Sequence, residues 1–107
     1  MIDRAVFDEL KQTAGADFAV ELVGTFLDEA PQMLAELRAA LAAGSAERFR
    51  RAAHSLKTNA YTFGASALGA KARELELGGL PADASGVEAL QALYDAAAAE
   101  LRELARG

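Results

Sequence analysis

Apolar residues recur every three or four positions along almost the whole chain, which is the spacing of amphipathic helices. The pattern predicts five helical segments, at about residues 3–13, 17–43, 45–63, 66–77 and 85–107. Glycine, proline and small polar residues separate these segments, and such residues favour turns. Alanine and leucine dominate the composition, and both favour helix. We therefore expect an all-α protein.

The second segment carries the longest apolar stripe. A single buried face is predicted from its apolar positions, which are Phe18, Leu22, Phe26, Ala30, Leu34, Leu37 and Leu41. Pro31 lies inside this segment, and proline has no backbone N–H to continue a helix. We therefore expect a kink or a break into two pieces near residues 29–30.

The segment ends carry recognisable helix signals. Ser45 follows Gly44 directly and is a good N-cap residue for the third segment. Ser85 and Glu88 fit a capping box at the start of the fifth. Four amphipathic helices joined by short loops predict an antiparallel four-helix bundle, up-down-up-down, with the short first helix capping one end. At 107 residues, the whole chain 1–107 is expected to form a single domain.

Composition and charge exclude several classes of function. The formal net charge is −5 and no basic stripe is present, which argues against nucleic-acid binding. Without cysteine, disulfides and thiolate metal sites are excluded. The first residues, MIDRAVFDELKQ, carry charges throughout and lack the apolar core of a signal peptide. No apolar run approaches the ~18 residues of a membrane span. We expect a cytoplasmic protein with no membrane association.

His54 is the only histidine and the first candidate for chemistry. The apolar positions predicted to form the inner face of the third segment are Phe49, Ala53, Leu56, Ala60 and Phe63. On a wheel of 100° per residue, His54 lies ~140° from Phe49 and so on the opposite side from these positions. Its neighbours on that outer face are Arg50, Lys57, Thr58 and Tyr61, at helical spacing. A histidine exposed among basic residues suits an anion or a phosphoryl group. The simpler alternative, an idle histidine on a solvated helix face, stays open on these observations alone.

The stretch AHSLKTNAYTFGASALGAKARELE resembles the signature of histidine-containing phosphotransfer domains. The matching positions are Ala53, His54, Leu56, Lys57, Ala60, Gly64, Ala65, Leu68, Leu75 and Glu76. The preceding stretch FLDEAPQMLAELRAALAAGSAERFRRAAH is also similar to the family, and the resemblance covers about residues 18–80. It implies a phosphoryl carrier of a two-component phosphorelay, a protein that is not itself an enzyme and uses no ATP.

The resemblance also implies roles for individual residues. His54 would accept the phosphoryl group on Nε2, and Lys57 would supply positive charge to that group. Arg50 would assist from the preceding turn. Glu76 is the best candidate to hold the other ring nitrogen and orient the imidazole. The chain would need no cofactor of its own, because the Mg²⁺ would be bound by the partner.

The expected partners are a response-regulator receiver domain and a hybrid or sensor histidine kinase, and the carrier is expected to be a monomer. Thr58 stands where the family usually has glycine, and it narrows the approach to the imidazole. We expect Thr58 and the neighbouring Tyr61 to line the partner-binding surface, where an aromatic side chain would act as an anchor.

Three other classes of protein share some of these features. A helical-bundle interaction domain that has lost phosphotransfer is the main alternative, and only Thr58 favours it. A di-iron bundle needs paired Glu-x-x-His motifs. This chain has a single histidine, and Arg51 stands three positions before it in place of the glutamate, which argues against this class. A sensor-kinase dimerisation domain also uses a histidine on a helix, but an acidic residue follows that histidine, and here the next residue is Ser55.

Overall fold

The structure is a computed structural model that describes residues 2–106, and the described residues form five α-helices without a strand. The helices are α1 (Arg4–Ala14), α2 (Ala16–Ala43), α3 (Ala46–Thr62), α4 (Ser66–Leu77) and α5 (Ser85–Arg106). The predicted all-α class is confirmed, and every predicted segment appears within a few residues of its expected bounds.

Helices α2 to α5 pack as a ring in which each helix contacts the next and α5 closes onto α2. This arrangement confirms the four-helix bundle, an elongated body of 41 × 20 × 19 Å. Large apolar side chains fill its interior, and the largest fully buried ones are Phe7, Phe49, Leu34, Leu37, Leu56, Leu68, Leu90, Leu101, Val23 and Val87. Within residues 2–106, no helix is both long and apolar enough to cross a membrane.

Helix α1 lies across the end of the bundle where α3 turns into α4. The backbone N–H of Asp3 donates to the carbonyl of Gly64 at 2.7 Å, and the Asp3 side chain caps α1 by accepting from the N–H of Ala5. Gly64 has φ +79°, and a Cβ there would come within 2.6 Å of the Asp3 carbonyl oxygen. A residue without a side chain is therefore required at this corner.

The predicted N-cap of α3 is confirmed, whereas the predicted capping box of α5 is wrong. The Ser45 hydroxyl accepts from the N–H of Arg48. At α5, Asp83 instead accepts from both the N–H and the hydroxyl of Ser85. Glu88 points to the neighbouring helix, where it pairs with Arg38 at 3.5 Å. Asp83, in the loop two residues before Ser85, thus takes the place of the predicted capping box.

Phe18 is the one predicted core residue of α2 that is exposed, at 51 %. The buried face begins instead at Ala19 and continues through Val23 to Phe26. At 100° per residue, Ala19 lies within about 20° of Phe26, whereas Phe18 lies about 80° away. Positions spaced by four rotate gradually away from the core, because a helix has 3.6 residues per turn. Leu22 is correspondingly only half-buried.

Of the kink or break predicted near Pro31, the break into two pieces is not observed, because α2 is helical through this position. Proline cannot donate a hydrogen bond to the carbonyl of Leu27, four residues earlier. The hydroxyl of Tyr94 on α5 donates to that same carbonyl at 3.3 Å. A buried side chain of a neighbouring helix thus replaces the donor that the proline lacks.

Candidate functional site

His54 lies midway along α3 on the side that faces away from the core. The five positions predicted to form the inner face of this helix are all buried, namely Phe49, Ala53, Leu56, Ala60 and Phe63. The His54 side chain is 54 % exposed. Its imidazole is therefore accessible from solvent while its helix is firmly packed.

Glu76 of α4 holds one nitrogen of this imidazole. Its Oε2 is 2.7 Å from His54 Nδ1, across 22 residues of sequence. A carboxylate can only accept, so Nδ1 carries the proton and donates it to Glu76. The second ring nitrogen, Nε2, is then left as the nitrogen with a free lone pair.

Lys57 occupies the other oxygen of the same carboxylate. Its Nζ is 2.7 Å from Glu76 Oε1, and the two side chains are only 22 % and 11 % exposed. Apart from this ion pair, Oε1 has no hydrogen-bond partner in the described part of the chain. Pairing with Lys57 is the main cause that lowers the pKa of Glu76; His54 also lowers it, and burial opposes both. Glu76 is thus a charged carboxylate shared between a lysine and a histidine.

The sequence also matches a known protein family. The sequence model of the Hpt domain matches residues 21–100, which include α3, α4 and most of α2 and α5. The chain belongs to the Hpt domain family. Members of this family carry phosphoryl groups on a histidine in phosphorelays, where they interact with receiver domains and kinases. No significant match was found among curated proteins or among solved structures.

The basic residues of this Hpt domain are largely paired with acids. Arg50, predicted to assist at the phosphoryl site, forms a fork with Glu47, with its closer contact at 2.7 Å. Arg51 contacts the same carboxylate at 3.3 Å. Bonding to Glu47 is the main cause that raises the pKa of Arg50, and the charge of Glu76 adds to it. The positive patch expected around His54 is therefore weaker than a count of arginines suggests.

Thr58 lies one turn beyond His54 and is exposed. Its hydroxyl donates to the backbone carbonyl of His54 at 3.1 Å. Threonines in helices commonly bond to the carbonyl four residues earlier in this way. The hydroxyl is therefore engaged within α3, and the methyl group is the part of Thr58 left for a partner.

Tyr61 is also exposed, at 43 %, in agreement with the helical wheel. Its ring rests on Gly69 of α4, a contact that the sequence analysis missed. A glycine inside a helix costs about 1 kcal/mol relative to alanine, and this cost is the signal that could have drawn attention to Gly69.

A shallow groove of about 340 Å³ lies beside the site, between α2 and α3. It is lined by Glu29, Gln32, Met33, Glu36, Arg48, Arg51, Ala52 and Ser55. A forked salt bridge between Arg48 and Glu36, at 2.9 Å, spans the two helices there.

Across residues 2–106, no three carboxylate or imidazole side chains are grouped closely enough to hold a metal ion.

Proposed function

We propose that this Hpt domain carries its phosphoryl group on Nε2 of His54 and passes it between receiver-domain aspartates, or from a kinase to a response regulator. The observation that carries the proposal is the bond from His54 Nδ1 to Glu76, at 2.7 Å, on an imidazole that is 54 % exposed. His54 is also the only histidine in the chain, so no other residue could serve as the phosphohistidine.

The geometry fits a nucleophilic attack by histidine. The Nε2 lone pair of His54 would form a bond to phosphorus while the bond from phosphorus to the aspartyl oxygen of the partner breaks. The leaving carboxylate keeps the electron pair, and no proton has to move in this step. The ring becomes positively charged as the new bond forms, and the Glu76 carboxylate beside Nδ1 stabilises that charge.

Lys57 would act by neutralising Glu76. A bare carboxylate beside the imidazole would repel an incoming phosphoryl group, which carries about two negative charges. The ammonium of Lys57, at 2.7 Å from Glu76, offsets that charge. We propose this role for Lys57 ahead of a direct contact with the phosphoryl oxygens. Arg50 would add positive potential nearby: Glu47 is the main cause that raises the pKa of Arg50, and the charge of Glu76 adds to it.

The proposed partners are a receiver domain, which would bring its own aspartate and Mg²⁺, and a hybrid or sensor kinase. Phosphoryl transfer proceeds through a loose transition state, so positioning and charge matter more than bond-making by the carrier. The carrier then needs little beyond an accessible, oriented imidazole. We propose that it works as a monomer in the cytoplasm, and sedimentation at assay concentrations checks the first of these properties.

Labelling of His54 tests the proposal. The protein is incubated with a receiver domain phosphorylated by acetyl phosphate, and acid-labile, base-stable phosphate is expected on the wild-type chain. His54→Gln should abolish the label and leave the circular dichroism spectrum unchanged, because an exposed side chain contributes little to stability. Label that persists on the variant would end the carrier hypothesis. An unlabelled wild type that still binds the receiver would favour the interaction-domain alternative.

A further inference from the structure

The ring of Tyr61 lies flat on the backbone of α4 at Gly69. An ideal Cβ built on Gly69 would be 2.8 Å from Cζ of Tyr61 and 2.9 Å from both Cε1 and Cε2. Nearly equal distances to these three atoms mean that the Cβ would point into the face of the ring. Carbon atoms normally pack about 3.5–4.0 Å apart, so any side chain at position 69 would push the ring outward.

Gly69 thus determines where Tyr61 can lie. Gly69 is itself buried beneath the ring, whereas Tyr61 remains 43 % exposed. One face of the ring is supported by α4, and the rest of the side chain is open to solvent. The only aromatic pairs among the described residues involve Phe26 with Phe63 and with Tyr94, so no other aromatic ring holds Tyr61 in place.

The position of Tyr61 relative to His54 suits a contact with the phosphotransfer partner. The two residues are seven positions apart on α3, which is two turns or about 10.5 Å along the helix. They lie about 20° apart around the helix, so they face the same side. A protein interface of about 800 Å² per partner extends roughly 16 Å from its centre. A partner centred on His54 therefore covers Tyr61 as well.

We propose that Gly69 is a positioning residue that holds Tyr61 flat along the α3–α4 seam, as a fixed aromatic contact for the receiver domain. This inference rests on the proposed function, because it assumes that a receiver docks over His54. The physical advantage is entropic: a ring already held in its bound position loses little freedom when the partner arrives.

The predicted effect is on docking rather than on chemistry. Immobilising a free side chain at an interface weakens binding by roughly 2- to 10-fold. Gly69→Ala should therefore raise the receiver concentration needed for half-maximal transfer by that factor. The limiting rate should stay within about twofold, because Gly69 takes no part in the hydrogen bond and the ion pair that join His54, Glu76 and Lys57. Tyr61→Ala should weaken docking at least as much, because it removes the whole contact, and Gly69→Ala should add nothing in the Tyr61→Ala background.

Gly24 supplies a matched control. It also lies inside a helix, α2, but a Cβ there would meet nothing within 4 Å. Gly24→Ala makes the same chemical change and should leave transfer unchanged. Should Gly69→Ala fail to fold, as judged by circular dichroism, Tyr61→Leu removes the ring without disturbing α4 and should reproduce the weaker docking.

Tyrosine fluorescence gives a readout that needs no phosphotransfer. The chain has no tryptophan, and the only other tyrosine, Tyr94, is 5 % exposed. Quenching by iodide should therefore report mainly on Tyr61, and it should increase in Gly69→Ala and not in Gly24→Ala. Unchanged quenching would show that Gly69 does not position the ring.

The outcomes separate the two proposals. Increased quenching supports the inference when the receiver concentration needed for half-maximal transfer also rises several-fold. Increased quenching with an unchanged half-maximal receiver concentration overturns the docking role of Tyr61. A lower limiting rate with an unchanged half-maximal receiver concentration overturns it too. Should wild-type His54 accept no label, the proposed function fails, and direct titration with the same receiver decides the inference: equal binding by wild type and Gly69→Ala overturns it.

Discussion

Lys57→Ala tests how the site handles negative charge. Lys57 contacts Glu76, and Glu76 in turn holds the imidazole of His54. Without the lysine, an uncompensated carboxylate would face each arriving phosphoryl group. We expect His54 to be labelled more slowly, although its ring would still be held by the carboxylate.

The size of the effect follows from the geometry. The phosphorus on Nε2 would lie across the imidazole ring from the Glu76 carboxylate. One negative charge acting on two others at about 6 Å in water-like surroundings corresponds to roughly tenfold in rate. Glu76 is only 11 % exposed, and a partly shielded site has a lower dielectric constant than water. Tenfold is therefore the lower limit of the expected loss.

Glu76→Gln provides the second arm of a double-mutant cycle. The glutamine amide oxygen can still accept the proton on His54 Nδ1, but the negative charge is gone. In this background Lys57→Ala should cost less than about threefold, because the charge that the lysine neutralised is absent. The two substitutions should thus be strongly non-additive.

The assay is the initial rate of label transfer from a phosphorylated receiver well below its half-saturating concentration, so that the rate includes the approach of the phosphoryl group to His54. Lys71→Ala serves as the control: Lys71 also pairs with a glutamate of α4, Glu74, at 3.4 Å, and is 26 % exposed, but this pair shares no hydrogen bond or ion pair with the His54 site in the described part of the chain. It should leave the rate unchanged. Equal losses from Lys57→Ala in the wild-type and Glu76→Gln backgrounds would refute the reasoning and indicate that Lys57 contacts the phosphoryl group directly.

Thr58→Val should keep transfer within about twofold of wild type, because the threonine hydroxyl is already bonded within its own helix; a larger loss would mean that a partner uses the hydroxyl. Lys57 lowers the pKa of Glu76, so the stabilisation from this pair is present above the ordinary glutamate pKa and is lost as pH falls through the lowered value. NMR titration of Glu76 should therefore show a midpoint below that of an ordinary glutamate, which rises in Lys57→Ala; an unshifted midpoint would contradict the ion pair. Pro31→Ala should stabilise the protein by up to ~3 kcal/mol, and Tyr94→Phe should destabilise it by ~0.5–1.5 kcal/mol. The loss of stability from Tyr94→Phe should be smaller in the Pro31→Ala background, because the new backbone N–H of residue 31 can reach the carbonyl of Leu27. Equal losses by urea denaturation in both backgrounds would show that the tyrosine does not compensate for the proline.

Local sequence was sufficient for most of the helices, because periodicity and capping act over a few residues. Ser45 caps α3 as predicted, and the buried stripe of that helix is as expected. The errors had both local and tertiary causes. Phe18 followed a plausible spacing of four, yet the core face of α2 starts at Ala19. Pro31 was expected to kink or break its helix, yet α2 continues through it and Tyr94 supplies the missing donor from α5.

For the site, the sequence alone placed His54 on an outer helix face, because the rotation of one helix relative to its own buried stripe is a local property. The family signature drew attention to Glu76 as well, but no local rule says how close two helices bring their side chains. Only the tertiary structure shows one carboxylate shared by His54 and Lys57, and a ring resting on Gly69. Such contacts depend on the rotation and offset of α4 against α3. The packing of the whole core sets both, so periodicity within a single segment carries no record of them.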